Sequence, residues 1–165
     1  MLELQKGPGQ ARERAVTLTS YGAFLAGKKR WQEAERSLRE AIEIDPSSAE
    51  AHVNLGNLLG DLGQGAAAES EYRRAIELDP EQPNARYDLA VQLADGGHPA
   101  EAEEQLRAYV RIEPEDANGF VRLAEQLAAQ GRREEARAAY ERARSLDPAN
   151  ADAKKGLATL GAAAR

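Results

Sequence analysis

Residues 49–80 read AEAHVNLGNLLGDLGQGAAAESEYRRAIELDP, and this stretch decides the fold of the chain. It ends in the acidic-proline pair Asp79-Pro80. The same kind of pair recurs with a step of 34 residues at Asp45-Pro46, Glu113-Pro114 and Asp147-Pro148. One such pair would be an ordinary turn, whereas four at one spacing indicate an internal repeat, a signal that decides the fold class.

Apolar and small residues keep the same step. One column is alanine in every unit (Ala34, Ala68, Ala102 and Ala136) and another is leucine (Leu25, Leu59, Leu93 and Leu127). Within a unit the apolar positions fall three, four and seven apart, which is the period of an amphipathic helix. A polar or glycine-containing break divides each unit into two helices. The predicted helices are 10–27, 31–44, 49–62, 65–78, 83–95, 99–112, 117–130 and 133–146.

The units are predicted to stack. A single unit cannot bury its apolar face alone, so neighbouring units must cover one another to build a continuous core. Residues 151–164 continue the apolar pattern and are predicted to form a helix that caps the C-terminal end. Residues 1–9, which include Gly7-Pro8-Gly9, are predicted to be a flexible lead.

The second unit resembles the tetratricopeptide repeat in Leu55-Gly56, Ala68, Tyr72 and the closing Asp79-Pro80. This resemblance implies an all-α fold, a right-handed superhelical solenoid of antiparallel helix pairs with about nine helices. It implies one domain over 10–164, with repeats at 15–48, 49–82, 83–116 and 117–150 and a capping helix at 151–164. Two residues depart from the pattern. His52 replaces the usual large aromatic, and Tyr109 replaces an alanine, which predicts a local shift in packing.

The resemblance also implies a function, that of a non-catalytic scaffold or adaptor. In this family the first helices of the repeats line a concave groove that binds a peptide or a segment of a partner protein. Carried over by position, the lining residues are Val16, Thr19, Ser20, Ala23, Val53, Asn54, Asn57, Tyr87, Asp88, Val91, Val121, Arg122 and Glu125. Apolar side chains mixed with amides and carboxylates suit an extended or helical segment with apolar anchors. Carboxylates outnumber cations near this lining, which favours a neutral or basic ligand.

One known use of the family is not expected here. Chaperone adaptors bind a C-terminal carboxylate through lysine, arginine and asparagine side chains on three successive first helices. At the matching positions only Asn54 agrees, and Asp88 would repel a carboxylate.

Composition and residue types argue against other classes of function. The net charge of −6 makes a nucleic-acid partner a poor expectation, because phosphate binding needs clustered lysine and arginine. There is no cysteine, and His52 and His98 lie in different repeats without an obvious third ligand, so no metal site, cofactor or catalytic centre is expected. Paired carboxylates such as Glu103 and Glu104 are predicted to lie on solvated helix faces.

The expected location is the cytoplasm. The first ten residues lack the apolar stretch of a signal peptide, and no run of 18 apolar residues exists, so insertion into a membrane is not expected. A periplasmic location stays open if the chain is a domain of a larger protein.

Two alternatives to the adaptor remain. The solenoid could be structural, assembling with copies of itself through its ends or charged edges. It could also be an interaction domain cut from a larger enzyme or secretion component.

Overall fold

The computed structural model describes residues 8–162, and over these residues the chain forms nine α-helices and no strand. The helices are α1 Pro8–Gly27, α2 Trp31–Ile44, α3 Ala49–Asp61, α4 Gly65–Leu78, α5 Pro83–Asp95, α6 Pro99–Ile112, α7 Ala117–Ala129, α8 Arg133–Leu146 and α9 Ala151–Ala162. The first eight begin and end within two residues of the predicted bounds, which confirms the all-α fold.

The largest difference in bounds is at the start of α1. The predicted lead covers residues 1–9, of which residues 1–7 lie outside the described part of the chain. Helix α1 already begins at Pro8, so Pro8 and Gly9 belong to it. Proline is tolerated in a first helical turn, because an N–H at that position has no partner within the helix.

The turn inside each repeat uses a left-handed residue. Gly63, Gly97 and Gly131 have φ angles of 73°, 79° and 76°, and at the same repeat position Lys29 has a φ of 59°. This conformation reverses the chain directly after the first helix, and glycine adopts it without the clash of a Cβ atom. The 34-residue step therefore extends to the backbone angles of the turns.

Side chains cap three of the helices that begin after the acidic-proline turns, α3, α7 and α9. The Ser48 hydroxyl accepts a hydrogen bond from the Ala51 N–H at 3.2 Å, and Asn150 accepts one from Ala153 at 2.9 Å. Asp116 accepts bonds from the N–H groups of Asn118 and Gly119 at 3.0 and 3.1 Å. Each bond satisfies a donor that has no partner within its helix.

The chain divides into two compact units, one running to Ala85 and the other starting at Arg86. In the first unit α1 packs on α2 and α3 packs on α4, while α3 also contacts α1 and α2. Its core holds the predicted columns, since Leu25, Ala34, Leu59 and Ala68 are buried, and Leu38 is buried with them. Gly56 permits this packing, since a Cβ atom there would lie 2.6 Å from a ring carbon of Tyr72.

In the second unit α7 contacts α6, α8 and α9. Leu93, Ala102, Leu127 and Ala136 continue the buried columns. The prediction that a helix at 151–164 caps the chain corresponds to α9, which packs against α8 and α7 and buries Leu160. The last predicted residues of that helix lie beyond Ala162, outside the described residues.

Tyr109 stands where the other repeats have alanine, and the residues around it accept the larger side chain. Its hydroxyl donates a hydrogen bond to Asp116 Oδ2 at 2.7 Å, and its ring lies over Gly119, where a Cβ atom would be 2.5 Å from Tyr109 Cε1. Burial and then the hydrogen bond to Asp116 raise the pKa of Tyr109 far above its ordinary value. The absence of a side chain at Gly119 therefore makes room for the Tyr109 ring.

Candidate functional site

The first helices of the second unit carry a cluster of polar and aromatic side chains around Tyr87. Arg122 of α7 donates a hydrogen bond from Nε to the Tyr87 hydroxyl at 3.4 Å and another from a terminal nitrogen to Glu125 Oε2 at 3.1 Å. These two partners raise the pKa of Arg122, with Tyr87 contributing most. The Tyr87 ring lies 5.1 Å from the Tyr109 ring at an interplanar angle of 56°. Tyr87 is therefore held from two sides, and it needs little further ordering to bind a ligand.

Two small clefts open beside this cluster. One, of about 40 Å³, lies between α5 and α7 and is lined by Ala90, Val91, Ala94, Asp95, Leu106, Arg122 and Gln126. The other, of about 190 Å³, lies between α7, α8 and α9 and is lined by Glu125, Ala128, Tyr140, Asp152, Lys155, Gly156, Thr159 and Leu160. We call the cluster and the two clefts the Tyr87 face. Each cleft has the size of one side chain rather than that of a drug-like or nucleotide ligand.

The Tyr87 face is mildly acidic. Asp95, Glu125 and Asp152 give it three carboxylates, against two cations, Arg122 and Lys155. Arg122 is already hydrogen-bonded to Glu125. The surplus of carboxylates produces a negative potential that attracts cationic groups.

In the first unit, the corresponding positions on α1 and α3 carry small and amide side chains. Ser20, Ala23 and Asn57 are exposed and Asn54 is half-buried. The Tyr72 hydroxyl donates a hydrogen bond of 2.7 Å to Asn57 Oδ1. This bond occupies the amide oxygen and leaves the NH₂ group to donate to a ligand.

Three of the predicted lining residues expose little surface to a ligand. Thr19, Val53 and Val121 are buried, and the Thr19 hydroxyl donates to the Ala15 carbonyl at 2.9 Å. Thr19 lies four residues after Ala15 and three before Gly22, both of which are buried, so all three face the same side of the helix. The same spacing was visible in the sequence. Tyr87 occupies this column in the third repeat, but its long side chain is only half-buried.

The predicted site did not include α9. Residues 151–164 were predicted only to cap the core, yet Asp152, Lys155 and Thr159 line the larger cleft. They lie three, four and seven residues apart, so they share one side of the helix. This spacing is the signal by which they could have been found.

Both histidines lie near a glutamate. His52 is buried, with Nδ1 2.6 Å from Glu71 Oε2, and His98 is exposed, with Nδ1 3.7 Å from Glu101. Over residues 8–162 no group of three or more histidine and carboxylate side chains is placed to hold a metal ion.

Glu103 corrects another expectation, because it is only 7% exposed rather than solvated. Its carboxylate accepts hydrogen bonds from Arg107, Arg132 and Gln130 at 2.6–2.8 Å. Burial acts to raise the pKa of Glu103, but these donors outweigh burial and lower it.

No helix of the described chain is both long and apolar enough to cross a bilayer.

Comparisons with known proteins agree with this architecture. Family models described as tetratricopeptide repeat match residues 53–117 and 117–160, and one described as TPR repeat matches residues 26–63. No curated protein matches the sequence.

Several solved structures share the fold. MamA (residues 41 to the end) from Desulfovibrio magneticus RS-1 has a TM-score of 0.82 at 21% identity, covering 91% of this chain and 85% of that one. YrrB, described as a TPR protein with an unusual peptide-binding site, has a TM-score of 0.81 at 22% identity, covering 98% and 84%. The Pseudomonas aeruginosa protein pilF has a TM-score of 0.81 at 24% identity, covering 94% and 69%. With three models of one family matching in succession from residue 26 to residue 160, and with helix pairs in step at 34 residues, the chain belongs to the tetratricopeptide repeat family.

Proposed function

We propose that this chain is a non-catalytic scaffold that binds a peptide or an exposed segment of a partner protein on the first helices of its repeats. Repeats of this family are in general protein-interaction modules. The observation that carries the proposal is the Tyr87 face, where an oriented tyrosine and a paired arginine stand between two clefts of side-chain size.

Aromatic and arginine side chains dominate the binding energy of protein interfaces when they are held in place before the partner arrives. Tyr87 meets this condition through its contacts with Tyr109 and Arg122. Glu125 belongs to the same array and also lines the larger cleft. A ligand segment would therefore place an apolar side chain against Tyr87 and a second side chain in the cleft beside Glu125.

The ligand we propose is neutral or basic. Its cationic side chain would pair with Glu125 or Asp152 at the larger cleft, where Tyr140 offers an apolar wall. The two carboxylates already act on Tyr140, whose pKa is raised first by burial and then by Glu125 and Asp152. In the first unit, taken by itself, Asn57 would donate a hydrogen bond from its amide NH₂ to a bound backbone carbonyl.

A peptide library displayed on beads tests this proposal. Peptides enriched by the wild-type chain should combine an apolar or aromatic residue with lysine or arginine, and their affinity should fall as salt is raised. Tyr87→Ala should weaken the selected peptides about tenfold or more, since truncating an aromatic anchor typically costs over 1.4 kcal/mol. Glu125→Gln should weaken the basic peptides and leave neutral ones nearly unchanged.

The matched control lies on a second helix. Glu141→Gln removes an exposed carboxylate from α8, outside the Tyr87 face, and should not change binding. Circular dichroism should show equal helicity in all variants. Enrichment of acidic peptides, or peptide affinity that is unchanged by Tyr87→Ala and Glu125→Gln, would contradict the proposal.

A further inference from the structure

The first repeat exposes large apolar side chains at positions whose equivalents in the second repeat are buried. Tyr21 and Phe24 of α1 are 48% and 57% exposed, whereas the residues 34 positions later, Leu55 and Leu58 of α3, are 3% and 1% exposed. Together with Val16 they are the exposed large apolar side chains found among residues 9–162. Thr17, Tyr21 and Phe24 lie four and three residues apart, so they form one stripe on α1. We call this stripe and Val16 the end face.

A cleft adjoins the end face where α1 meets α2. Its volume is about 190 Å³, and its lining is Leu18, Tyr21, Leu25, Glu33, Arg36, Ser37 and Glu40. Apolar side chains come from α1 and charged ones from the rim on α2. This is the arrangement of a protein interface, with an apolar centre and a polar edge.

The chain itself shows what covers such a surface. Leu55 and Leu58 are buried in a unit where α3 packs against the preceding helix pair, α1 and α2. The end face holds the same repeat positions but has no preceding pair within the described residues. The complementary surface is therefore a helix pair of the same construction.

We propose that the end face binds the end face of a second copy of this chain, giving a dimer with two-fold symmetry. Helix α9 at the other end has no large exposed apolar side chain to match the end face, because its exposed residues are Asp152, Lys154, Lys155 and Thr159 together with alanines and a glycine. Head-to-tail stacking is thereby disfavoured, and a two-fold contact between like faces closes without leaving an apolar end exposed.

The rim charges are self-complementary. Arg36 is exposed beside Glu33 and has no ion pair within 4.0 Å among the described residues, while Glu33 and Glu40 lie on the same rim and pair with Arg30 and Arg14. A two-fold axis brings the rim of one copy against that of the other, so Arg36 of each copy can meet a carboxylate of its partner. This complementarity favours a second copy over a partner of one charge sign.

Sedimentation velocity over a wide range of protein concentration tests the proposal with the full chain. The wild type should show a concentration-dependent dimer. Phe24→Glu should weaken it about 30-fold or more, because a charge at the centre of an apolar contact removes a dominant anchor. Arg36→Glu should weaken it as well, through loss of the rim pairs. Ala66→Glu, which adds the same charge at an exposed position of α4, should leave it unchanged.

A second measurement tests the symmetry. The chain has no cysteine, so a single introduced cysteine can form a disulfide only with its copy in another molecule. At least one of Thr17→Cys and Ser20→Cys should cross-link rapidly in dilute protein, because a position near a two-fold axis faces itself. Ala66→Cys should not cross-link under the same conditions.

Three results would overturn the proposal. A chain that stays monomeric at all concentrations excludes a second copy as the occupant. A full chain that is monomeric while residues 8–165 dimerise would identify residues 1–7 as the segment that covers the end face. A dimer weakened equally by Phe24→Glu and Ala66→Glu, with circular dichroism unchanged, would place the contact elsewhere.

Discussion

Lys29 stands at a turn position that every other repeat gives to glycine. Its φ of 59° lies in the left-handed region, as do those of Gly63, Gly97 and Gly131. A Cβ atom at Gly63 or Gly131 would meet no heavy atom within 4 Å, so any cost of a side chain there arises from the backbone angle. The first repeat therefore carries a conformational strain that the other three avoid.

We expect Lys29→Gly to stabilise the chain by about 0.5–1 kcal/mol, because the relief of left-handed strain exceeds the extra flexibility that glycine gives to the unfolded state. The reverse change, Gly131→Ala, should destabilise the chain by about 1 kcal/mol. Urea denaturation followed by circular dichroism measures both. Gly27→Ala is the matched control, since Gly27 is equally open but has no left-handed φ. Equal effects at Gly27 and Gly131 would refute the argument from backbone angle.

Glu103 makes stability depend on pH. It is buried and joins α6 to the turn before α8 through Arg132, which also binds Glu135 at 2.6 Å. Because the pKa of Glu103 is lowered in the fold, its contribution is present at neutral pH and is lost as pH falls through the folded pKa, below the ordinary value of 4.5. Protonation there removes the charge that Arg107 and Arg132 bind.

Glu103→Gln should therefore cost about 1–2 kcal/mol at pH 7, a range set by the half-exposed arginines that water can solvate again. The difference in unfolding free energy between this variant and the wild type should shrink as pH falls below 4.5. Glu104→Gln, at the exposed neighbouring position, should show no such difference. A pH-independent difference for Glu103→Gln would contradict the charge-based explanation.

At the scale of the helix pair, small and large residues are matched across the contact between helices. Gly22 faces Leu38, Gly56 faces Tyr72 and Gly119 faces Tyr109. The third pair departs from the repeat pattern, because Tyr109 stands where the other repeats have alanine and Gly119 is a glycine. The two departures compensate in volume across the contact between α6 and α7, and both helices keep the regular bounds.

A double-mutant cycle tests this compensation. Gly119→Ala alone should destabilise the chain by about 1–3 kcal/mol through overpacking against the Tyr109 ring. Tyr109→Ala alone should cost about 2 kcal/mol through the lost ring contacts and the lost hydrogen bond to Asp116. The double variant restores the residues of the other repeats, so its loss should be smaller than the sum by at least about 1 kcal/mol. Additive losses would show that the two residues are independent.

The sequence could predict these helices closely because periodicity, turn glycines and the acidic-proline pairs all repeat at one step. It was less informative about which polar residues on a helix face water. Thr19 satisfies its buried hydroxyl with the carbonyl of Ala15 on its own helix, and Glu103 accepts from Arg107 of its own helix and from Gln130 and Arg132 of the turn between α7 and α8. The repeat pattern does not specify the contacts of Glu103 with that turn, because they come from packing between helices.

At the scale of the whole molecule, the unbroken 34-residue step predicts one domain, while the packing of the chain groups it into two compact units. We propose that the units unfold together, since each repeat in such an array is stabilised by its neighbours. Trp31 is the only tryptophan and lies in the first unit, so its fluorescence reports that unit, whereas circular dichroism reports all helices.

In urea the fluorescence and circular dichroism of the wild type should give coincident transitions, as expected for a cooperative domain. Leu127→Ala removes a buried side chain from the second unit and should cost about 2–4 kcal/mol. If the domain is cooperative, this change in the other unit also lowers the midpoint of Trp31 fluorescence. Ala138→Ser, at an exposed position of the same unit, is the control and should leave both midpoints in place. The alternative outcome is that Leu127→Ala leaves the midpoint of Trp31 fluorescence unchanged while the circular dichroism transition splits into two phases. This would mean that the units fold independently and that the one-domain prediction is wrong.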